Sequence, residues 1–192
     1  MGKLFLTLLF FLIFSNSFSD ISLAKYCIET GSFKENLIVV GCNGYLATVT
    51  ANTGILKNEA NMKGTGYYSV AMVIHDNVLY VGIHGHVIAY HPESLRTIWS
   101  NDLKGLGYSI GISVNVNEDK LYVGTFGKVC AINRTNGETI WTTSLPRCGY
   151  SIVTLSFHNQ NIYASCNGNI YKLENTTVRF IYLYNFLLKI NI

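Results

Sequence analysis

The stretch LYVGTFGKVCAIN at residues 121–133, followed by TNGETIW at residues 135–141, decides the fold of this 192-residue chain. Its pattern recurs with a period of about 41 residues. Small residues three positions apart mark each copy: Gly41 and Gly44, Gly82 and Gly85, Gly124 and Gly127, Ser165 and Gly168. A Gly-Tyr pair at residues 66–67, 107–108 and 149–150, and a tryptophan at Trp99 and Trp141, keep the same spacing. Such repeats indicate stacked units that bury their apolar faces against one another.

Each copy has the pattern of four short β-strands. Residues 79–81 and 86–90 flank a glycine-bounded turn, and residues 150–157 alternate before a polar turn. No stretch beyond the first 19 residues has helical periodicity. A four-stranded antiparallel unit of about 40 residues is the blade of a β-propeller, so we predict an all-β fold of such blades.

Residues 121–141 resemble the repeat of quinoprotein-type (PQQ-like) propellers, in the quinoprotein alcohol dehydrogenase-like superfamily. That repeat has Tyr-Val-Gly, a second glycine, Val-x-Ala-Leu-Asp, a Thr-Gly turn and a terminal tryptophan. The second unit departs from it at Leu95, in place of the turn glycine, and the first at Asn58, in place of the tryptophan. The stretch 103–108 also resembles uncharacterised secreted eukaryotic members. The resemblance covers residues 20–173 and implies the fold, but no activity, because most proteins with these repeats bind no quinone.

The number of blades indicates a partial ring. Removing 19 residues from 192 leaves 173, which is about four periods of 41. Closed propellers have about 4–8 blades, and the resemblance implies a number near the upper end. We therefore expect about four blades in an open arc, with exposed sheet faces that favour self-association.

The first 19 residues have the pattern of a secretory signal peptide. Lys3 precedes an eleven-residue apolar stretch, residues 4–14, and small polar residues follow before a cleavage site ahead of Asp20. Cleavage after Ala24 is an alternative. A membrane anchor is disfavoured, because a span needs about 20 apolar residues. We predict secretion or residence in the lumen of the secretory pathway.

The propeller is predicted to occupy residues 20–177, and residues 178–192 a degenerate or non-native apolar tail. Val178 stands where Gly137 stands in the preceding unit. The register of residues 180–182 with residues 139–141 favours a degenerate last strand. The patternless apolar run 186–192 favours a non-native or truncated end, which is the interpretation we prefer.

Composition limits the partners. After cleavage, 13 basic and 11 acidic residues leave a net charge of +2, and the basic residues are scattered, so no nucleic acid is expected. The sequons at Asn133 and Asn175 are N-glycosylation candidates. Five cysteines follow the leader: Cys27, Cys42, Cys130, Cys148 and Cys166. An odd number leaves at least one thiol free or paired with another chain. We expect most of them to be small buried strand residues.

No catalytic or cofactor-binding residue is assigned. By the resemblance, quinone-dependent dehydrogenases use adjacent cysteines, a tryptophan, acidic Ca²⁺ ligands and an aspartate base, and no such motif is visible. His84 and His86 are weak metal candidates, but a solvated turn is preferred, because the other copies hold no matching ligands. We expect no cofactor.

The repeated Gly-Tyr element is the candidate binding surface. Its residues are expected to open the innermost strands at the mouth of the central channel: Tyr67, Ser69, Tyr108, Ser109, Tyr150 and Ser151. Tyrosine suits sugars or peptides, although a purely structural role in blade packing is the alternative. We therefore predict a non-enzymatic propeller that serves as a binding or scaffold module for a protein or carbohydrate ligand. The alternatives are a fragment of a PQQ-dependent dehydrogenase-like enzyme and a truncated gene product without independent function.

Overall fold

The computed structural model describes residues 29–34, 36–42, 44–62, 70–106, 111–159, 161–173 and 180–185. These residues form sixteen strands, which group in chain order into four sheets, blades 1 to 4. Blade 1 has β1 (Glu29–Lys34), β2 (Leu37–Cys42), β3 (Tyr45–Thr50) and β4 (Leu56–Asn61); blade 2 has β5 (Ala71–His75), β6 (Val78–Ile83), β7 (His86–Tyr90) and β8 (Thr97–Asn101). Blade 3 has β9 (Ile112–Asn117), β10 (Lys120–Thr125), β11 (Lys128–Asn133) and β12 (Thr139–Ser144); blade 4 has β13 (Thr154–His158), β14 (Asn161–Cys166), β15 (Asn169–Leu173) and β16 (Phe180–Asn185).

Each blade is an antiparallel meander in which every strand pairs with the next along the chain. The first strands of successive blades (β1, β5, β9 and β13) contact one another in order, so they form the inner edge of the arc. No helix occurs in the described part of the chain. The predicted all-β fold, a partial propeller of four-stranded blades, is therefore confirmed.

The core lies between blades rather than within them. The middle strands β6 and β10 are almost wholly buried, because both faces of blades 2 and 3 meet a neighbour. One apolar cluster joins blades 2 and 3 through residues such as Val87, Leu121 and Val123. A second joins blades 3 and 4 through residues such as Tyr122, Ile162 and Tyr171. The repeats therefore depend on their interfaces, as expected for stacked units.

A tryptophan from blade 2 docks on blade 3. The indole Nε1 of Trp99 donates a hydrogen bond of 3.0 Å to the carbonyl of Arg134, in the turn between β11 and β12. The ring lies over Gly137 of the same turn, where an added Cβ would lie 2.5 Å from Trp99 Cε3. Gly137 also has a φ of 78°. The turn therefore needs glycine both for its backbone conformation and for the space that the indole occupies.

The last blade differs from the others on the face that points away from blade 3. Gly124 of blade 3 lets the next blade approach: an added Cβ would lie 2.6 Å from the carbonyl oxygen of Val153. The matching residue of blade 4 is Ser165, and its Oγ lies 2.6 Å from Oγ1 of Thr154 within the same sheet. Along β13 the exposed and half-buried residues alternate. Blade 4 thus has one apolar face and one outward face that is mostly polar but includes Tyr163 and Ile170.

The first and last strands of blade 4 differ from the predicted pattern in different ways. Residues 150–153, predicted to open the inner strand, form a turn and a connection instead, and β13 begins at Thr154. Residues 180–185 form β16 and pair with β15. The register shift in this pair falls between Ile170 and Tyr171, two positions earlier than the equivalent shift between Ala131 and Ile132 in blade 3. The origin of residues 178–192 stays a prediction.

Among the cysteines whose side chains the structure describes, two form a disulfide and one is a free thiol. Cys148 and Cys166 form a disulfide, with Cα atoms 5.6 Å apart. Cys130 is free and fully buried between blades 2 and 3. Burial raises the pKa of its thiol, so Cys130 is poorly suited to a covalent link with another chain.

Candidate functional site

The turns between the second and third strands lie at one end of the blades, together with the connections from one blade to the next. We call this end the rim. These turns are two-residue loops of the form X-Gly with positive φ at both positions: His84 has φ 41°, Phe126 has φ 52° and Asn167 has φ 47°. Such turns favour asparagine or aspartate at the first position. Blade 4 follows that preference, whereas Phe126 of blade 3 does not.

Phe126 pairs with an exposed tyrosine of the rim. Its ring centroid lies 4.7 Å from that of Tyr150, with the ring planes inclined by 50°. Tyr150 follows Gly149 in the connection between blades 3 and 4, and 81% of it is exposed. Ile152, in the same connection, is 53% exposed. The rim thus has two exposed apolar side chains in this connection, Tyr150 and Ile152, and the half-buried Phe126 packs beside Tyr150.

The aromatic pair forms one wall of an open cleft of about 350 Å³. The lining residues come from two connections between blades and from one turn and the strands beside it: Gly105, Leu106, Phe126, Gly127, Lys128, Ser144, Leu145, Gly149 and Tyr150. The Nζ of Lys128 donates a 2.6 Å hydrogen bond to the carbonyl of Gly105 across the cleft. The cleft therefore combines an apolar wall with one cation.

Hydrogen bonds and a disulfide hold the cleft in shape. The amide of Gly127 donates to the carbonyl of Ser151 (2.8 Å), and the amide of Leu145 donates to the carbonyl of Gly127 (2.8 Å). The amide of Ser151 donates to the carbonyl of Cys148 (3.1 Å), and Cys148 is bonded to Cys166 at the end of β14. Such a surface loses little conformational entropy when a ligand binds.

Charge is distributed unevenly between the two ends of the blades. In the described turns and connections of the rim, two cations (Lys104 and Arg147) accompany one carboxylate (Asp102), and Lys128 lies beside them at the start of β11. The described turns at the opposite end hold five carboxylates (Asp76, Glu93, Glu118, Asp119 and Glu138) and two cations (Arg96 and Arg134). With Lys128 counted, the described part of the rim has a formal charge of +2, from three cations minus one anion.

Comparison with known proteins identifies the blade type. The family described as outer membrane protein assembly factor BamB matches residues 83–177. No curated protein matches significantly in sequence. The crystal structure of BamB from Moraxella catarrhalis superposes with a TM-score of 0.64 at 17% identity, covering 77% of this chain and 49% of that one. The chain has a PQQ-like β-propeller fold.

Two further structures agree with this fold. Quinohemoprotein alcohol dehydrogenase from Comamonas testosteroni gives a TM-score of 0.64 at 13% identity, over 79% of this chain and 33% of that one. The computationally designed protein Ika8 gives 0.61 at 17% identity, over 82% and 49%. The PQQ-like propeller therefore spans about half the length of BamB and Ika8, and about a third of the dehydrogenase.

The described residues do not fit a quinone site. By the resemblance, such a site needs a disulfide between adjacent cysteines, a tryptophan over the ring and acidic Ca²⁺ ligands. In this PQQ-like propeller the disulfide joins cysteines 18 residues apart. Trp99 and Trp141 lie on the outer strands β8 and β12, where Trp99 serves blade packing. The carboxylates lie mostly at the end opposite the cleft.

The predicted rim residues are only partly described. Tyr67, Ser69, Tyr108 and Ser109 lie outside the described residues. Tyr150 lies in the cleft wall, and Ser151 is half-buried and contributes its backbone to the loop. Sequence reasoning missed Phe126 and Lys128. The signal for Phe126 was available, because it stands where Asn167 stands in blade 4.

The other candidate residues have ordinary surroundings. His84 and His86 are half-buried beside the turn between β6 and β7. Across the described ranges, no group of three or more His, Cys, Asp or Glu residues could hold a metal ion. Of the two N-glycosylation candidates, Asn133 accepts a 2.9 Å hydrogen bond at Oδ1 from the amide of Thr135, and Asn175 lies outside the described residues.

Where the chain is described, no helix has the length and apolarity to cross a membrane.

Proposed function

We propose that this PQQ-like propeller is a non-enzymatic binding module of the secretory pathway or the extracellular space, and that its ligand occupies the rim cleft. The contact between the half-buried Phe126 and the exposed Tyr150 carries the proposal. A bulky residue at positive φ costs roughly 1–3 kcal/mol, and asparagine at this turn would avoid most of that cost. A strained aromatic residue that packs against an exposed tyrosine in a cleft is typical of a binding site.

Two observations support the cellular location and the class of role. The disulfide between Cys148 and Cys166 suits an oxidising compartment, in agreement with the predicted signal peptide. The matching family is described as an assembly factor, which favours a protein-binding role over catalysis. Expression in a secretory host, with sequencing of the secreted N-terminus, tests the location: we expect the mature chain to begin at Asp20. Retention of residues 1–19 on an intracellular product would contradict it.

Paired peptide and glycan arrays test the binding site. Wild-type mature protein and a Tyr150→Ala variant are applied to the same arrays, with Ile140→Ala as the matched control. Ile140 is also exposed (48%) but lies on the outer strand β12. We expect Tyr150→Ala to weaken the strongest signals about tenfold, or about 1.4 kcal/mol, and Ile140→Ala to leave them unchanged. Signals that ignore Tyr150 would overturn the proposed site.

The enzyme alternative has its own test. Pyrroloquinoline quinone is titrated into the mature protein with and without Ca²⁺, and its absorbance is followed. Because the described residues do not fit a quinone site, we expect no saturable change. Saturable micromolar binding would replace the binding-module proposal with the dehydrogenase-like alternative.

Self-association through open blade faces is a further part of the proposal. Light scattering of the mature protein, with and without reductant, is expected to show dimers or larger species. A single monomeric species in both conditions would contradict it.

A further inference from the structure

We infer that the rim cleft binds an acidic peptide segment, with an apolar side chain against Phe126 and Tyr150 and a carboxylate at Lys128. This inference rests on the proposed function, because it names the ligand class of the same cleft. It is drawn from three features: the cation that crosses the cleft, the charge of the rim, and the scarcity of polar side chains in the lining.

Lys128 is placed to receive a carboxylate. It is half-buried at the start of β11, next to the turn that carries Phe126. Its ammonium has three donors, and the bond to the carbonyl of Gly105 uses one of them. That bond fixes the position of the ammonium within the cleft. A carboxylate that binds there forms a charge-assisted hydrogen bond, about twice as strong as a neutral one.

The charge around the cleft favours an anionic partner. Lys104 and Arg147 belong to the two connections that line the cleft, and Asp102 is the carboxylate in the described turns and connections of the rim. Asp102 offsets part of this charge, because its Oδ2 lies 3.8 Å from Nζ of Lys104. The net positive charge that is left raises the association rate of an anionic partner and disfavours a cationic one. Basic peptides are repelled by this patch. Nucleic acids need an extended cationic surface, and this patch is small.

The lining favours a peptide over a carbohydrate. Among the nine lining residues, polar side-chain atoms are present only in Lys128, Ser144 and Tyr150. A sugar ring presents several hydroxyl groups, and each one that loses water without a new partner costs about 1–3 kcal/mol. An apolar peptide side chain has no such groups and can pack on Phe126 and Tyr150. The open shape of the cleft leaves the peptide backbone in contact with water.

The experiment uses fluorescein-labelled short peptides in three matched series, each with a central phenylalanine flanked by glutamate, glutamine or lysine. Binding to the full mature chain is measured by fluorescence anisotropy. We expect the glutamate series to bind about tenfold more tightly than the glutamine series, with an advantage that decreases as salt is added. Lys128→Gln should abolish the advantage. Arg96→Gln, which removes an exposed cation at the opposite end, is the control and should preserve it.

The outcomes separate the inference from the proposed function. Equal binding of the glutamate and glutamine series, lost in Tyr150→Ala, would overturn the carboxylate assignment and keep the cleft as the binding site. Tyr150-dependent binding of a glycan panel without peptide binding would overturn the peptide class. Binding that Lys128→Gln and Tyr150→Ala both leave unchanged would overturn the inference and the proposed site together.

Discussion

The interfaces on either side of blade 2 use different residues at the same positions. Between blades 2 and 3, Trp99 donates to the carbonyl of Arg134 and covers Gly137. Between blades 1 and 2, the Trp99 position is held by Asn58, whose Nδ2 donates to the carbonyl of Glu93 (2.7 Å). The Gly137 position is held by Leu95, which is buried and has a φ of 53°.

Two other positions change with them. Thr48 takes the place of Ala89, and its Oγ1 donates to the carbonyl of Pro92 (3.0 Å), the counterpart of the Arg134 carbonyl. Val39 takes the place of Tyr80, whose ring lies 5.9 Å from that of Trp99. At the interface between blades 2 and 3, a tryptophan on the outer strand of blade 2 fills the space above the glycine of the facing turn. At the interface between blades 1 and 2, the outer strand has an asparagine instead, and a leucine in the facing turn fills the space. These positions therefore form one packing unit.

Gly137→Leu is expected to have the largest effect. The leucine would overlap Trp99 and force a branched residue to adopt a φ of 78°, so we expect a loss of about 4 kcal/mol in the free energy of unfolding. Urea denaturation measures it. The double variant Gly137→Leu with Trp99→Asn reproduces the first interface and should recover at least about 1 kcal/mol relative to the sum of the single changes. If the free-energy changes of the two single variants were simply additive, these positions would not form one packing unit.

Trp99→Ala is expected to cost about 3 kcal/mol, because it removes the contacts with Tyr80 and Gly137 and leaves a cavity. The matched change at the first interface, Asn58→Ala, removes an exposed hydrogen bond and should cost about 1 kcal/mol. Both are measured by urea denaturation under the same conditions. Equal losses would show that the two interfaces do not differ in how they are stabilised.

Alkaline unfolding should depend on the interfaces that hold a buried tyrosine. Burial raises the pKa of Tyr122, the counterpart of Tyr80 at the next interface, to about 12, and burial also raises the pKa of Tyr80. The unfolded chain ionises near 10, so it binds fewer protons than the folded chain above that pH. The contribution of these two tyrosines to stability is therefore constant below about pH 10 and is lost as pH rises towards 12. Val39 adds no such dependence at its own position, but the first interface holds Tyr90 in its apolar cluster, and burial raises the pKa of Tyr90 to about 12.

The test follows unfolding of wild type and Tyr122→Phe against pH. The variant should lose less stability than wild type between about pH 10 and 12. Identical slopes in the two proteins would contradict the assignment.

The ion pair across the second interface should have the smallest effect. Arg134 Nη2 lies 2.8 Å from Oδ2 of Asp76 in blade 2, whereas Pro92 gives the first interface no such charge. Asp76 is mostly exposed, so Asp76→Asn is expected to cost about 0.5 kcal/mol, and less at high salt. Thermal denaturation at two salt concentrations measures it. A cost above about 2 kcal/mol would mean that the pair contributes far more than a surface bridge.

Much of the fold could be predicted because each repeat has the same local strand and turn signals in its sequence. The pattern around residues 121–141 predicts strands, turns and blade count, since alternation and glycine turns are local signals. The departures from the repeat pattern at Asn58 and at Leu95 were also visible in the sequence. Only the structure shows that both residues lie at the interface between blades 1 and 2. Connection geometry was less predictable: residues 150–153 alternate like a strand, yet the hydrogen bond from Ser151 to Cys148 and the disulfide bend them into a loop.

The candidate site was predicted in place but not in composition. Tyr150 was identified from its repeat position, whereas Phe126 and Lys128 were not, because a hairpin turn has no sequence pattern that indicates which loop packs beside it. The pairing of Cys148 with Cys166 could not be deduced either, since spacing alone does not determine disulfide connectivity.

The same disulfide affects how the molecule would respond to mechanical load. Contacts between blades follow chain order, so a force applied to the two ends detaches blades from the ends of the arc. The bond between Cys148 and Cys166 spans 18 positions, and about 60 Å of extended chain is therefore withheld at roughly 3.4 Å per residue. The oxidised protein should stretch that much less than the reduced one, and the loop that carries Tyr150 remains untensioned while blade 4 unravels around it.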